Sequence, residues 1–285
     1  MQRILVTGSK GQLGNELEIL LNYFPEYEYL FTDIEELNIT SQKEVNDYIT
    51  THKPNILINC AGYTAVDKAE DEPEKAHLIN SLAVGYLAQT CKENNCFLIH
   101  ISTDYVFDGK SNIPYSETDI INPTSVYGKT KAEGEIKAIE SKVNGIIIRT
   151  SWLYSSFGSN FVKTIIRLSE ERDEIKVIYD QIGSPTYARD LALMILLNIT
   201  KFKVIKGVEI FHYSNEGVAS WFEFAKNICN FTNSSCKITP IETKDFIVKA
   251  KRPGYSLLNK TKIKLFTSSE IPHWQNSLKE CLLKF

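Results

Sequence analysis

The chain has 285 residues, 43% hydrophobic and 24% charged, which excludes a disordered or fibrous protein and allows one large or two modest domains. Lys and Arg number 32 against 35 Asp and Glu, a formal net charge of −3, so charge gives no case for a nucleic-acid partner. The six cysteines form no Cys-x-x-Cys pair, and Met1-Gln2-Arg3 runs straight into an apolar strand without the features of a secretory signal. The longest apolar run, Leu191 to Ile199, is about half of the roughly 18 residues of a membrane span. The expectation is a cytoplasmic chain with reduced thiols and no membrane partner.

Ile4-Leu5-Val6 reads as a buried first strand, followed by a glycine turn and a helical stretch from Asn15 to Tyr23. Tyr27 to Thr32 is a second strand, Gln42 to Thr50 a helix, and Ile56-Leu57-Ile58 a third strand. Glu74 to Glu93 reads as one long helix, Phe97 to Ile101 as a fourth strand, Lys129 to Glu140 as a helix, and Gly145 to Arg149 as a fifth strand. This alternation predicts an α/β fold, a Rossmann-like doubly wound parallel sheet. Beyond about residue 150 helices at Asn160 to Glu171, Ala188 to Asn198 and Trp221 to Asn230 are separated by polar, Lys-rich connections. The expected organisation is a dinucleotide-binding domain over 1–150, rejoined by part of 186–215, and a smaller α/β substrate-binding region over 151–285.

Gly8, Gly11 and Gly14 lie three apart between the first strand and the first helix. Glycines there permit a tight turn and let backbone N–H groups approach a pyrophosphate at a helix N-terminus. Asp33 ends the second strand about twenty residues on, where an acid accepts from adenosine ribose hydroxyls and repels a 2′-phosphate. No Lys or Arg occurs from Gly11 through Gln42. That weights the cofactor toward NADH, and Lys10 in the loop keeps NADPH open.

The fourth strand leads into Ser102-Thr103-Asp104-Tyr105, and carboxyl ends of strands in such sheets line the ligand crevice. Tyr127 and Lys131 form the chain's single Tyr-x-x-x-Lys pair, a spacing that puts phenol and ammonium on one helical face. A nearby ammonium is expected to lower the phenol toward neutrality, readying Tyr127 as a proton donor to a carbonyl oxygen. Position, more than spacing, makes this case.

With these residues the sequence resembles the dTDP-4-dehydrorhamnose reductase family of the extended short-chain dehydrogenases/reductases. The resemblance runs from Thr7-Gly8 to Arg252-Pro253. It is most specific at Gly11-Gln12-Leu13-Gly14, Asn59 to Glu70, Ser102 to Phe107, Arg149 to Tyr154 and Asp180 to Thr186. It implies Tyr127 as proton donor, Lys131 as ribose anchor and pKa modulator, and Thr103 as their hydroxyl partner. Gly8, Gly11, Gln12, Leu13 and Gly14 would hold the pyrophosphate, and Asp33 the ribose. Asn38 and Ile39 would border the adenine, with Gly62, Tyr63 and Thr64 along the cofactor. Val66, Thr103, Asp104, Tyr105 and Trp152 would hold the sugar. Asn80 would order the proton relay, and Arg252 near Tyr255-Ser256-Leu257 would meet the substrate's diphosphate.

The implied reaction is hydride transfer from NADH or NADPH to the C4 ketone of dTDP-4-dehydro-L-rhamnose. Two departures from the family stand out: Asn38 where many relatives carry Asp, and Gly62-Tyr63 in place of Ala-Ala or Ala-His. Some relatives dimerise through Mg2+ held by acidic side chains, and Glu16 matches one such position. The rest of that cluster is not identifiable and the five histidines lack metal-ligand spacing, so no metal is assigned and monomer and homodimer both stay open. Two alternatives remain: a reductase of another nucleotide-linked 4-keto-6-deoxy sugar, and a non-catalytic cofactor-binding regulatory subunit.

Overall fold

The structure, a computed structural model, describes all 285 residues. The chain begins with β1 (Gln2–Thr7), α1 (Gln12–Leu20), β2 (Tyr27–Thr32), α2 (Gln42–His52), β3 (Ile56–Asn59) and a short α3 (Val66–Ala69). Next, α4 (Pro73–His77) runs through a π-helical turn at Leu78–Leu82 into α5 (Ala83–Glu93). Then come β4 (Phe97–Thr103), α6 (Val126–Glu140), β5 (Gly145–Thr150), β6 (Leu153–Tyr154), α7 (Phe161–Glu171), β7 (Glu174–Ile178), β8 (Ile182–Gly183) and β9 (Thr186–Tyr187). The chain ends with α8 (Ala188–Phe202), β10 (Val208–His212), β11 (Ala219–Ser220), α9 (Trp221–Phe231), β12 (Lys237–Ile241), α10 (Thr261–Thr267) and α11 (Trp274–Leu282). No helix is long and apolar enough to cross a membrane.

Six strands form one sheet in the order β10-β5-β4-β3-β1-β2, and every pairing in it is parallel. Ile56 to Asn59 and Gly145 to Thr150 are buried along their whole length, as strands covered on both faces must be. Alternation sorts the side chains. Ile4, Val6, Ile58 and Ile99 meet α1 and α8, whereas Leu5, Leu57, Leu98 and Ile147 meet α2, α5 and α6. Strand order reverses between β1 and β3, so the ligand crevice opens at the carboxyl ends of these two strands.

The sixth strand, β10, was not foreseen. It pairs with β5 at the sheet edge, and its partly exposed Val208-Glu209-Ile210 breaks the apolar run by which inner strands are recognised. The pairs β7–β12, β8–β11 and β6–β9 lie in the other half with α7, α9 and α11, around a core that includes Tyr154, Val162, Tyr187, Phe224, Trp274 and Leu278. Strands of two residues carry no periodicity, which hides them from sequence.

Helix α6 begins at Val126, three residues before the expected start, because the Ser125 hydroxyl accepts the Gly128 N–H at 3.1 Å as an N-cap. Two glycines let it press close. A Cβ on Gly128 would fall 2.3 Å from the Tyr105 carbonyl oxygen, and one on Gly134 2.1 Å from that of Asn80. Glu135 of α6 is then paired with Arg149 of β5, with Nη2 to Oε2 at 2.7 Å and Nε to Oε1 at 3.0 Å, both residues almost fully buried. Ser102 also donates to Glu135, and the Arg149 guanidinium lies 5.1 Å from the Phe107 ring centre. Burial pushes His212 down to about 3. It is therefore neutral, its Nδ1 facing the Tyr115 carbonyl at 3.0 Å and its Nε2 facing Arg149 at 3.4 Å.

Breaking such a pair from one side leaves a buried charge without its partner. Arg149→Met and Glu135→Gln are each expected to lower unfolding free energy by about 3–5 kcal/mol, and Glu135→Leu with Arg149→Met to recover most of it. Urea midpoints of the four proteins check this; a loss below about 1 kcal/mol in both single variants would show the pair to be weakly coupled to folding.

Candidate active site

The crevice is built from the ends of β1, β3 and β4. Gly8 closes β1 with φ +67, and a Cβ there would fall 2.6 Å from the Ala61 nitrogen. One on Gly14 would fall 2.5 Å from Ser9. The turn thus packs against β3 as no other residue type allows. Gly11 is the N-cap of α1 and no side chain caps that end. Gln12 and Leu13 follow in the first turn, where backbone N–H groups and the helix dipole favour an anion. Gln12 is fixed from afar, its Oε1 accepting from Asn160 at 3.0 Å.

Beside this loop lies a cleft of about 250 Å³ whose lining includes Asp33, Asn38, Ile39, Ala61 and Gly62. Asp33 accepts from the Lys10 and Ile34 backbone N–H groups at 3.1 and 2.8 Å, and the Lys10 ammonium is bonded to Glu35. Asn38 turns its carboxamide oxygen onto Thr40, which donates from its nitrogen at 3.1 Å and its hydroxyl at 2.7 Å. The residues present fit a dinucleotide: a glycine cradle at a helix N-terminus, and a carboxylate beside it in the cleft.

Asn80 sits in the π-helical turn and is buried. Its side chain clamps the backbone of Tyr63, accepting from Tyr63 N at 2.8 Å and donating to Tyr63 O at 3.0 Å. It also donates to Thr130 at 3.2 Å. The expected single helix is thus broken where an extra residue in the turn swings Asn80 inward. The Tyr63 phenol faces away, donating to Glu72 at 3.1 Å. Thr64 lies exposed, and Val66 opens α3 half-buried.

Thr103 ends β4. Its hydroxyl donates to Asp104 Oδ1 at 3.0 Å and accepts from Tyr105 N at 3.2 Å. Tyr127, in the first turn of α6, packs edge-on against Tyr105 with ring centres 5.4 Å apart, and its phenol lies near the Thr103 hydroxyl. Lys131, one turn on and buried, donates to the Ile101 carbonyl at 2.6 Å. Burial pushes Tyr127 up to about 12, against the opposing effect of the Thr103 hydroxyl. Burial also pushes Lys131 down to about 8, partly offset by Glu135. The expected lowering of the phenol by the ammonium does not occur: Lys131 aims at a backbone carbonyl, and desolvation of the phenolate dominates.

Asp104 is buried with Oδ2 unpartnered. Burial raises it to about 7, against the hydrogen bond from Thr103 and the nearby Ser256 hydroxyl. Trp152 follows β5 with φ +49, a conformation that costs about 1–3 kcal/mol for a bulky side chain. Arg252 pairs with Asp67 at 2.9 Å, and Lys249 with Asp71 at 2.6 Å. Both pairs tie the C-terminal region to the segment around α3. Glu16 is buried, accepting from Ser155 at 2.7 Å and lying 3.7 Å from the Lys284 ammonium. Its Oε2 has no hydrogen-bond partner, and no group of three or more His, Cys, Asp or Glu side chains forms around it to hold a metal ion.

Two neighbours of the site carry no sequence signal: Ser256, which lies beside Asp104, and Trp221, whose indole covers that of Trp152 at 3.6 Å. Both come from distant elements, and neither has a local motif to announce it.

The profile of the RmlD substrate binding domain family matches residues 1–285. The dTDP-4-dehydrorhamnose reductase of Aggregatibacter actinomycetemcomitans is 42% identical over 289 residues, covering 98% of each chain. A crystal structure of a dTDP-4-dehydrorhamnose reductase from Clostridium acetobutylicum is 40% identical, with a TM-score of 0.94 and full coverage of both chains. The corresponding protein from Bacillus anthracis, solved in complex with NADP, is 39% identical with a TM-score of 0.94 and full coverage of both chains.

The depressed pKa of Lys131 has a consequence for stability. Between about 8 and the usual value of about 10.4, the unfolded chain binds more protons than the folded one, so this residue makes stability rise with pH across that window. Below it the burden of a buried charge is fully present. Lys131→Met is therefore expected to be about 1–3 kcal/mol more stable at pH 7, with the difference shrinking as pH climbs through the window. Urea midpoints against pH test this, and a difference that grows with pH would contradict it.

Proposed function

This chain belongs to the dTDP-4-dehydrorhamnose reductase family, and on that footing we propose that it reduces the C4 ketone of dTDP-4-dehydro-L-rhamnose to give dTDP-L-rhamnose. The observation that carries this reading is the meeting of Tyr127, Thr103 and Lys131 at one strand end, beside a glycine loop shaped for a dinucleotide. Bound there, reduced nicotinamide supplies the hydride that the ketone carbon accepts.

The chain's own part is to hold and move a proton. A phenol raised by burial to about 12 stays protonated across neutral pH, and the alkoxide forming on the sugar is a stronger base than phenolate. Tyr127 therefore donates its proton to that oxygen. Thr103 orients the phenol from the strand side, and Lys131 places a fixed positive charge where negative charge develops. Asp104, protonated in part near neutrality, accompanies Thr103, with Val66, Tyr105 and Trp152 on the walls of the sugar pocket. Gly8, Gly11, Gln12, Leu13 and Gly14 receive the pyrophosphate, Asp33 the ribose, and Asn38 and Ile39 the adenine. Gly62, Tyr63 and Thr64 follow the cofactor toward Thr103.

The division of labour follows the same lines. Residues 1–150, rejoined by part of 186–215, form the dinucleotide half, as the pairing of β10 with β5 supports. Most of 151–285 forms the substrate half. The six free cysteines accord with a cytoplasmic site of action. The chain acts as a monomer or a homodimer, with a nucleotide sugar as its small-molecule partner.

Purified protein given dTDP-4-dehydro-L-rhamnose is expected to oxidise reduced nicotinamide. Tyr127→Phe should lower kcat about 10²–10⁴-fold while still binding the dinucleotide. No turnover by wild type that binds the dinucleotide would shift the reading to another 4-keto sugar or a regulatory subunit. A second expectation concerns the cofactor: either NADH or NADPH is used, and Asp33→Ala shifts the ratio of kcat/KM values toward NADPH by about tenfold or more. An unchanged ratio would remove Asp33 from cofactor choice.

A further inference from the structure

Trp152 stands in a conformation its own chemistry disfavours, with φ +49 two residues after the end of β5. Three contacts hold it there. Its carbonyl accepts the Thr186 N–H at 3.2 Å. One edge of its indole lies on Gly183, where an added Cβ would fall 2.6 Å from Cε2 and 2.8 Å from Cζ2. One face is covered by the indole of Trp221, with ring centres 3.6 Å apart and planes 10° from parallel.

Trp221 is itself well fixed. It opens α9, whose N-terminus is held by a capping box between Ser220 and Glu223. It also packs on Phe161 at 4.7 Å between ring centres. The contact with Gly183 leads onward to the site, since the same added Cβ would fall 2.8 Å from Ser256 Oγ. Ser256 in turn lies beside Asp104, the neighbour of Thr103. An indole gripped on one edge and one face, and only half-buried, presents its remaining surface in a single orientation.

We propose that Trp221 is a positioning residue for the sugar pocket, clamping the indole of Trp152 against Gly183 so that Trp152 meets the sugar ring in one fixed pose. The inference rests on the reading of Trp152 as a wall of that pocket. Without the second indole, the left-handed backbone at residue 152 is free to relax and the side chain swings with it. Tyr127, Thr103 and Lys131 are held by α6 and β4, not by α9, so the chemistry itself is untouched. The effect therefore falls on substrate binding.

Three variants test this: Trp221→Ala, Trp221→Leu and Trp221→Phe, each assayed with dTDP-4-dehydro-L-rhamnose and a saturating reduced dinucleotide. Near-ultraviolet circular dichroism reports the indole pair without substrate. The Ala and Leu variants are expected to lose the indole-pair signal and raise KM about tenfold with kcat within about threefold of wild type. The Phe variant, which keeps a stacking ring, should restore KM to within about threefold. Loss of the signal with unchanged KM would overturn the positioning role. So would a fall in kcat that Phe does not rescue, since that marks a general structural part. Should Trp221→Ala not fold, the Leu and Phe variants carry the same comparison. A wild type without turnover would instead count against the proposed substrate, and the indole-pair signal then tests the clamp alone: a signal unchanged in Trp221→Ala and Trp221→Leu overturns it.

Discussion

The closeness of α6 to the turn after β4, to the π-helical turn and to β5 is the constraint on which the catalytic end depends. Tyr127 and Lys131 are borne by this helix, so its distance from β4 and β5 sets where phenol and ammonium lie. Gly128 and Gly134 remove the side chains that would collide with the carbonyls of Tyr105 and Asn80. The buried pair of Glu135 with Arg149 fixes the axial position, because its two parallel hydrogen bonds tolerate little sliding. Ser102 and neutral His212 satisfy the remaining polar atoms nearby, as a buried ion pair requires if it is not to destabilise the fold.

From that docking the electrostatics of the site follow. Pressing α6 down takes Lys131 out of water, which weakens its hold on a proton and strengthens the field of its charge. The same burial makes Tyr127 a reluctant acid. In an isolated phenol that would be a handicap. For a group that must arrive with its proton and part with it only when an alkoxide forms, it is an advantage. The opposite shifts of Tyr127 and Lys131 thus have one physical origin.

How much of this was legible in the sequence depends on the range of the interaction. The glycine turn, the inner strands and the pairing of Tyr127 with Lys131 on one helical face are local, and each follows from spacing and apolar runs. The start of α6 was misjudged by three residues because Ser125 was not seen as a cap. The inward swing of Asn80 was not legible, since a π-helical turn shows no periodicity of its own. Edge strand β10 and the two-residue strands lack the continuous apolar signature of buried ones. Ser256 beside Asp104 and Trp221 on Trp152 join segments far apart in the chain, and no local rule brings them together. The direction of the Tyr127 shift was misjudged for a related reason. Spacing places an ammonium on the same face as a phenol but does not say that a carbonyl, that of Ile101, will claim it.

The central claim is that the cofactor-free protein holds Tyr127 as a loaded proton donor. Tyrosine labelled with 13C at Cζ, with the Tyr127 resonance assigned by its loss in Tyr127→Phe, reports this directly by NMR as pH is raised. The Tyr127 signal is expected to stay at the phenol position through neutral and moderately alkaline pH, consistent with a pKa of about 12. A resonance that moves to the phenolate position between about pH 6 and 8, below the ordinary tyrosine value of about 10, would contradict it and return control of the proton to Lys131.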